Sequence, residues 1–151
     1  MARHRGIKWV TAGVVTLTLL GLGLVMSIGW RTAQSMSEAE VRSHTTVMMA
    51  EVVAMYRQAN NGAWPKDWAD LNPYENDWGG IRHWPADEQA IRQDVEIDFG
   101  IDPMTLGHGP SESFDAIRPR GLAYGFATHQ AHWWATEGWR DASAVDDTIY
   151  P

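Results

Sequence analysis

Residues 9–30 form the longest apolar run of the chain, with 22 consecutive positions that carry no charge (WVTAGVVTLTLLGLGLVMSIGW). As an α-helix rising about 1.5 Å per residue, this run spans about 30 Å, the thickness of the hydrocarbon core of a bilayer. Trp9 and Trp30 lie at its ends, where interfacial aromatic residues are common. The alternative is a cleaved signal peptide, whose apolar core usually has about 7–15 residues. The pattern therefore predicts a retained transmembrane helix over residues 9–30.

One face of this segment carries small residues: Ala12, Thr16, Gly23 and Ser27 follow at spacings of 4, 7 and 4. Small side chains allow a second transmembrane helix to approach closely, so this face is a candidate contact with other membrane subunits. The alternative is that small residues are simply common in single spans. Residues 9–30 contain no ionisable side chain, which argues against a proton or ion path.

A second apolar pattern, with spacings of four and three, predicts an amphipathic helix over about residues 35–60 with one buried face. The core positions predicted on this face are Val41, Met48, Val52 and Met55. Asn60-Asn61-Gly62 is a typical helix end. The absence of proline from residues 7–60 permits one continuous helix of about 80 Å. The capping-box pattern of Ser35 and Glu38 would instead begin a new helix, and both alternatives stay open.

Residues 61–140 combine turn residues with short apolar stretches, which predicts a loop followed by a small sheet. Helical turns are expected around residues 66–71 and 86–93, a half-buried strand over 95–99, a long surface excursion over 102–120, and two aromatic-rich strands over 121–128 and 132–136 joined by a short hairpin loop. The predicted fold class is therefore α+β: one N-terminal transmembrane helix continues into an amphipathic helix that packs on a small antiparallel β-sheet.

Charge is distributed unevenly along the chain, whose net charge is −7. Residues 1–30 carry Arg3, Arg5 and Lys8 and no acidic residue, giving +3. Residues 31–151 carry the remaining 9 of 12 basic residues and all 19 acidic residues, giving 9 − 19 = −10. The positive-inside rule predicts a cytoplasmic N-terminus (residues 1–8) and an external, periplasmic domain (residues 31–151). The acidic balance argues against a nucleic-acid partner.

Few residues suggest metal or catalytic chemistry. The acidic tail, residues 141–151, contains Asp141, Asp146 and Asp147, which could supply oxygen ligands to Ca²⁺; the alternative is a solvated tail, and no other cofactor is expected. His129 and His132 flank the predicted hairpin turn and are interpreted as surface residues rather than metal ligands.

An enzymatic function is not indicated. The chain has no cysteine, which excludes a disulfide framework and a thiolate nucleophile. His108 and Ser111 lie close in sequence but lack the positioned acid and the strand-to-helix turn that a catalytic triad needs. The nine Trp residues are expected to fill a small core or to lie at an interface.

The predicted helix exit, with Tyr56, Asn61-Gly62, Trp64 and Pro65, and the aromatic stretches over 124–128 and 133–138 resemble bacterial type IV pilins and type II secretion pseudopilins. The resemblance implies a basic leader, a helix half in the membrane, a small antiparallel sheet, and a structural role in a secretion or pilus-type assembly. It also places Asp141, Asp146 and Asp147 where some pseudopilins have a calcium loop.

The N-terminal region follows the family pattern only in part. Gly6-Ile7 matches the site at which pilin leaders are cleaved, whereas Thr11 occupies the position where the family usually has Glu, and Lys8 is also atypical. The alternative function is that of an accessory subunit of another inner-membrane complex, for example a bioenergetic or photosynthetic one. Such a subunit would stabilise the complex through its single span and its periplasmic domain.

Overall fold

The computed structural model of the chain describes residues 3–78, 81–106 and 114–140, with the side chains of the first helix described at Leu17 and from Leu19 onward. The chain divides into two compact units, residues 1–37 and 38–151. Helix α1 (Arg3–Ala59) contributes to both. The Ser35 hydroxyl donates a hydrogen bond to the Thr32 carbonyl at 2.9 Å instead of capping a new helix. Of the two alternatives at Ser35, the uninterrupted helix is therefore the one observed.

Helix α1 ends at the predicted Asn60-Asn61-Gly62 turn. Asn61 and Gly62 have φ angles of 54° and 83°, in the left-handed region that glycine and asparagine tolerate best. The Gly62 amide donates to the Arg57 carbonyl at 2.7 Å, which satisfies one of the last carbonyls of the helix. A Cβ on Gly62 would lie 3.1 Å from the Trp139 indole, so glycine also permits close packing at this turn.

The second unit adds two small antiparallel sheets and two further helices to the C-terminal part of α1. A 3₁₀ turn (Trp68–Leu71) precedes β1 (Asn76–Trp78), β2 (Arg82–Trp84), α2 (Glu88–Asp94), β3 (Val95–Ile97), β4 (Ile117–Pro119), α3 (Gly125–Thr136) and a final 3₁₀ turn (Gly138–Arg140). β1 pairs with β2 and β3 pairs with β4, with Asp77 opposite His83 and Glu96 opposite Arg118. The predicted α+β class, with a long N-terminal helix and a small antiparallel sheet, is confirmed.

The core of the second unit surrounds α1 instead of covering one face of it. From Thr45 to Ala54 every side chain except Glu51 is buried, including Met48 at 1% and Val52 at 0% exposure. Val41 and Met55 are only half-buried. The prediction of a single buried face is therefore wrong for this stretch. Apolar and small residues occur on all sides of it, which is the pattern of a helix enclosed by the fold.

The predicted hairpin over residues 121–136 is also wrong, because α3 occupies most of that region. Ala127, Ala131, Trp134 and Ala135 are its buried side chains, at spacings of 4, 3 and 1. This is the period of a helix with one buried face and not the alternation of a strand. The aromatic residues of this region are typical of β-strands. Its alanines strongly favour a helical backbone conformation, and the helix is what forms.

Strand β3 confirms the predicted alternation, since Val95 and Ile97 are buried and Glu96 is half-exposed. The helical turns predicted around residues 66–71 and 86–93 are confirmed by the first 3₁₀ turn and by α2. Sequence reasoning did not predict β1 and β2, and β4 lies inside the predicted surface excursion. Each of these strands has three residues, too few for an alternating pattern to be recognised.

Candidate functional site

The first unit presents an extended apolar helix surface. Every side chain described from Leu19 to Ser37 is exposed. The large hydrophobic residues among residues 17–30 are 53–72% exposed, namely Leu17, Leu19, Leu20, Leu22, Leu24, Val25, Met26, Ile28 and Trp30. Apolar surface of this extent is usually covered by lipid or by another protein.

The residues predicted for the membrane segment are described only in part. Gly23 and Ser27 are exposed on α1. A Cβ on Gly23 would meet no atom within 4 Å, and the Ser27 hydroxyl donates to the Leu24 carbonyl at 2.8 Å. The side chains of Trp9, Ala12 and Thr16 lie outside the described residues.

Within the part of the chain that the structure describes, no helix combines the length and the apolar character needed to cross a membrane.

Arg57 forms the most deeply buried charged group of the second unit that the structure describes. Its side chain is 5% exposed and lies in the last turn of α1, where the helix dipole favours a cation. Nε donates to the Gly62 carbonyl at 3.2 Å, and Nη1 donates to the Ala135 carbonyl at the end of α3. Burial lowers the pKa of Arg57 to about 10, with repulsion from Arg140 as the second cause. Arg57 thus joins the C-terminal ends of α1 and α3.

Two indole rings and a second arginine lie close to the Arg57 guanidinium. The guanidinium carbon of Arg57 lies 4.8 Å from the centroid of the Trp139 ring and 5.8 Å from that of Trp64. The guanidinium carbon of Arg140 lies 5.0 Å from the same Trp139 ring. Both arginines therefore interact with one indole through cation–π contacts. We refer to Arg57, Trp139 and Arg140 as the arginine–indole cluster.

A half-buried carboxylate occupies a different side of α1. The Glu51 carboxylate accepts hydrogen bonds from the side chains of Asn76 and Trp78, and burial raises the pKa of Glu51. The His44 ring lies 5.2 Å from the Trp78 ring and 6.0 Å from the Phe126 ring, measured between centroids. These contacts anchor β1 and the start of α3 to α1.

A surface cavity of about 270 Å³ lies beside the β3–β4 sheet and is lined by Glu96, Ile97, Asp98, Phe99, Asp115 and Arg118. Arg118 donates to Glu96 at 2.9 Å and lowers the pKa of that carboxyl. The Asp98 carboxylate accepts a hydrogen bond from the Gly100 amide at 2.9 Å. Three charged side chains of this cavity, Glu96, Asp98 and Arg118, therefore hydrogen-bond to neighbouring groups of the fold.

Of the residues considered as metal ligands, the structure describes only His129 and His132. Among residues 3–78, 81–106 and 114–140, no group of three or more His, Asp or Glu side chains could hold a metal ion. His129 and His132 both lie on α3, so their expected position at a hairpin tip is wrong. Asp141, Asp146 and Asp147 lie outside the described residues, as do His108 and Ser111.

Sequence reasoning did not single out Arg57, Trp139 or Arg140. A long cationic side chain in the last turn of a helix usually reaches solvent, and the two arginines are far apart in sequence. One signal was present, since Arg57 lies five residues before the helix-ending glycine and seven before Trp64. An arginine beside a tight turn and an indole is well placed to hydrogen-bond to the turn.

No protein-family model, curated protein or solved structure matches this chain.

Proposed function

We propose that the chain is a non-enzymatic structural subunit of the bacterial inner membrane, with residues 1–8 in the cytoplasm, residues 9–30 crossing the bilayer and residues 31–151 in the periplasm. The observation that carries this proposal is the run of exposed apolar side chains between Leu17 and Trp30. A bilayer can cover such a surface without leaving a buried backbone polar group unpaired, because the backbone groups of a helix hydrogen-bond to one another. The basic N-terminus and acidic remainder support the orientation.

The proposed assembly is a secretion or pilus-type machine that contains the chain as a pilin-like subunit. The support is the architecture of a helix from Arg3 to Ala59 whose C-terminal part is enclosed by short antiparallel strands, together with the resemblance at the helix exit. The second candidate, an accessory subunit of another inner-membrane complex, is favoured by Thr11. Pilins usually have Glu at this position after their leader.

Processing of the N-terminus tests the choice between these two candidates. We expect a pilin-type assembly subunit purified from its host membrane to begin at Ile7, after removal of residues 1–6. Intact-mass measurement and N-terminal peptide analysis distinguish this form from a chain that retains residues 1–6. A retained leader would contradict the pilin-type assembly and support the accessory subunit. Recovery of the chain in the soluble fraction after cell lysis without detergent would contradict both candidates.

A further inference from the structure

Met104 has the most exposed methionine side chain that the structure describes. It is 80% exposed, whereas Met48 and Met49 are 1% and 0% exposed. Met55 is half-buried. The methionines of the second unit therefore share one side-chain chemistry but meet solvent to very different extents. A thioether reacts with a dissolved oxidant only where the oxidant can reach its sulfur, so exposure decides which of these residues is oxidised.

A β-turn presents Met104 to solvent. The turn sequence Asp102-Pro103-Met104-Thr105 has Asp at the first position and Pro at the second, where both residues are favoured. The Asp102 carbonyl accepts hydrogen bonds from the Thr105 amide at 2.9 Å and from the Thr105 hydroxyl at 2.7 Å. The Asp102 carboxylate accepts from the Met104 amide at 2.9 Å. None of these bonds uses the Met104 side chain, so they are the same whether its sulfur is oxidised or not.

Apolar residues on both sides of the turn hold its backbone in place. Ile101 and Leu106 are half-buried and pack against the core of the second unit. Met104 lies between them in sequence but buries little apolar surface, so a polar oxygen on its sulfur removes little hydrophobic stabilisation. The same oxygen on Met48 or Met49 would enter the core, where a polar group costs free energy unless it finds a hydrogen-bond partner.

We propose that Met104 is a methionine sulfoxide site, which oxidants of the peroxide class modify while the second unit stays folded. The thioether sulfur attacks one oxygen of hydrogen peroxide, so that an S–O bond forms and the O–O bond breaks. The hydroxide that leaves takes up the remaining proton and departs as water; the sulfur is oxidised and the peroxide is reduced. The sulfoxide faces solvent, where methionine sulfoxide reductases can restore the thioether. The inference goes beyond the structural role proposed above, and it holds whether or not residues 9–30 cross a membrane.

The test compares oxidation of the folded and the unfolded chain. The full chain in mild detergent is treated with hydrogen peroxide, with and without urea, and the sulfoxide at each methionine is followed by peptide mass spectrometry. We expect the Met104 rate to change by less than about twofold on unfolding, because its side chain is already exposed. Only roughly one molecule in a thousand or fewer is unfolded without urea, so Met48 and Met49 should react at least about a hundredfold faster in urea. Slow oxidation of Met104 in the folded chain, or equally fast oxidation of Met48 and Met49 there, would overturn the proposal.

A second measurement tests whether the unit tolerates the modification. The chain oxidised at Met104 should keep the urea midpoint of the untreated chain, and reductases specific for the two sulfoxide epimers should return the peptide to its original mass. Met104→Leu is the matched control, because leucine keeps an apolar side chain of similar size without sulfur. After the same peroxide treatment, a lower midpoint in the wild type than in Met104→Leu would overturn the proposal. Resistance of the sulfoxide to both reductases would contradict an accessible site.

Discussion

Met48 provides a quantitative test of whether α1 is enclosed by the second unit. Its side chain is 1% exposed and lies in a stretch of helix buried on nearly all sides, so neighbouring groups have little freedom to collapse into the space left by truncation. Substitution of a buried Met by Ala typically costs about 2–5 kcal/mol in unfolding free energy. We place Met48→Ala near the middle of that range, at about 3–4 kcal/mol. Helix propensity changes the result little, since Ala and Met both favour helices.

The assay is urea unfolding of the full chain in mild detergent, followed by tryptophan fluorescence, with Met104→Ala as the control. Met104 belongs to the same unit and is 80% exposed, so its truncation should change the unfolding free energy by less than about 0.5 kcal/mol. Met48→Ala should also lower the melting temperature of the unit by about 15 °C. If the two variants unfold within 1 kcal/mol of each other, α1 is not enclosed and the account of the core is wrong.

Three further predictions concern Glu51, Arg57 and the membrane segment. Burial raises the pKa of Glu51 in the folded state, so ionisation of this carboxyl opposes folding above that pKa. Glu51→Gln should therefore raise the urea midpoint of unfolding at pH 7, and this gain in stability should shrink as the pH falls toward 4.5. A gain that stays constant with pH would contradict this reasoning. Arg57→Met should lower the unfolding free energy by about 2 kcal/mol in the same assay, because two backbone carbonyls lose their charged hydrogen-bond donor. Lys66→Met, at an exposed position, is the control and should leave the unfolding free energy unchanged. Equal effects of the two substitutions would show that Arg57 does not stabilise the fold. Gly23→Leu should leave membrane insertion and the folding of the second unit intact but reduce co-purification with partner subunits after detergent extraction. Unchanged co-purification would mean that the small-residue face of this helix does not contact a partner helix.

The sequence was most informative where a pattern extends over many residues. The helix end at Asn61-Gly62 was predicted because left-handed turn residues follow a long periodic segment, and the structure places positive φ angles there. Strand β3 was predicted because Val95, Glu96 and Ile97 alternate in polarity. In both cases local conformational preference and burial favour the same backbone, so no tertiary information was needed.

The failures arose where tertiary packing decides the outcome. Helix α3 occupies the region predicted as a hairpin, because Trp133 and Trp134 suit strands as well as helices whereas the alanines of this segment favour a helix. The enclosure of α1 depends on elements that wrap around it, which a periodic pattern in α1 alone does not specify. The arginine–indole cluster joins residues 57 and 140, and only the fold brings together groups so far apart in the chain.

Membrane topology tests the central claim most directly, and the chain is suited to it because it contains no cysteine. Single cysteines introduced as Lys8→Cys, which stays in the chain whether or not residues 1–6 are removed, and as Met104→Cys would be treated with a membrane-impermeant maleimide in intact spheroplasts and again after permeabilisation. The account predicts that the cysteine at position 104 is labelled in intact spheroplasts, whereas the one at position 8 is labelled only after permeabilisation. Labelling at position 8 with protection at position 104 would contradict the orientation, and protection of both in intact spheroplasts would contradict a periplasmic domain.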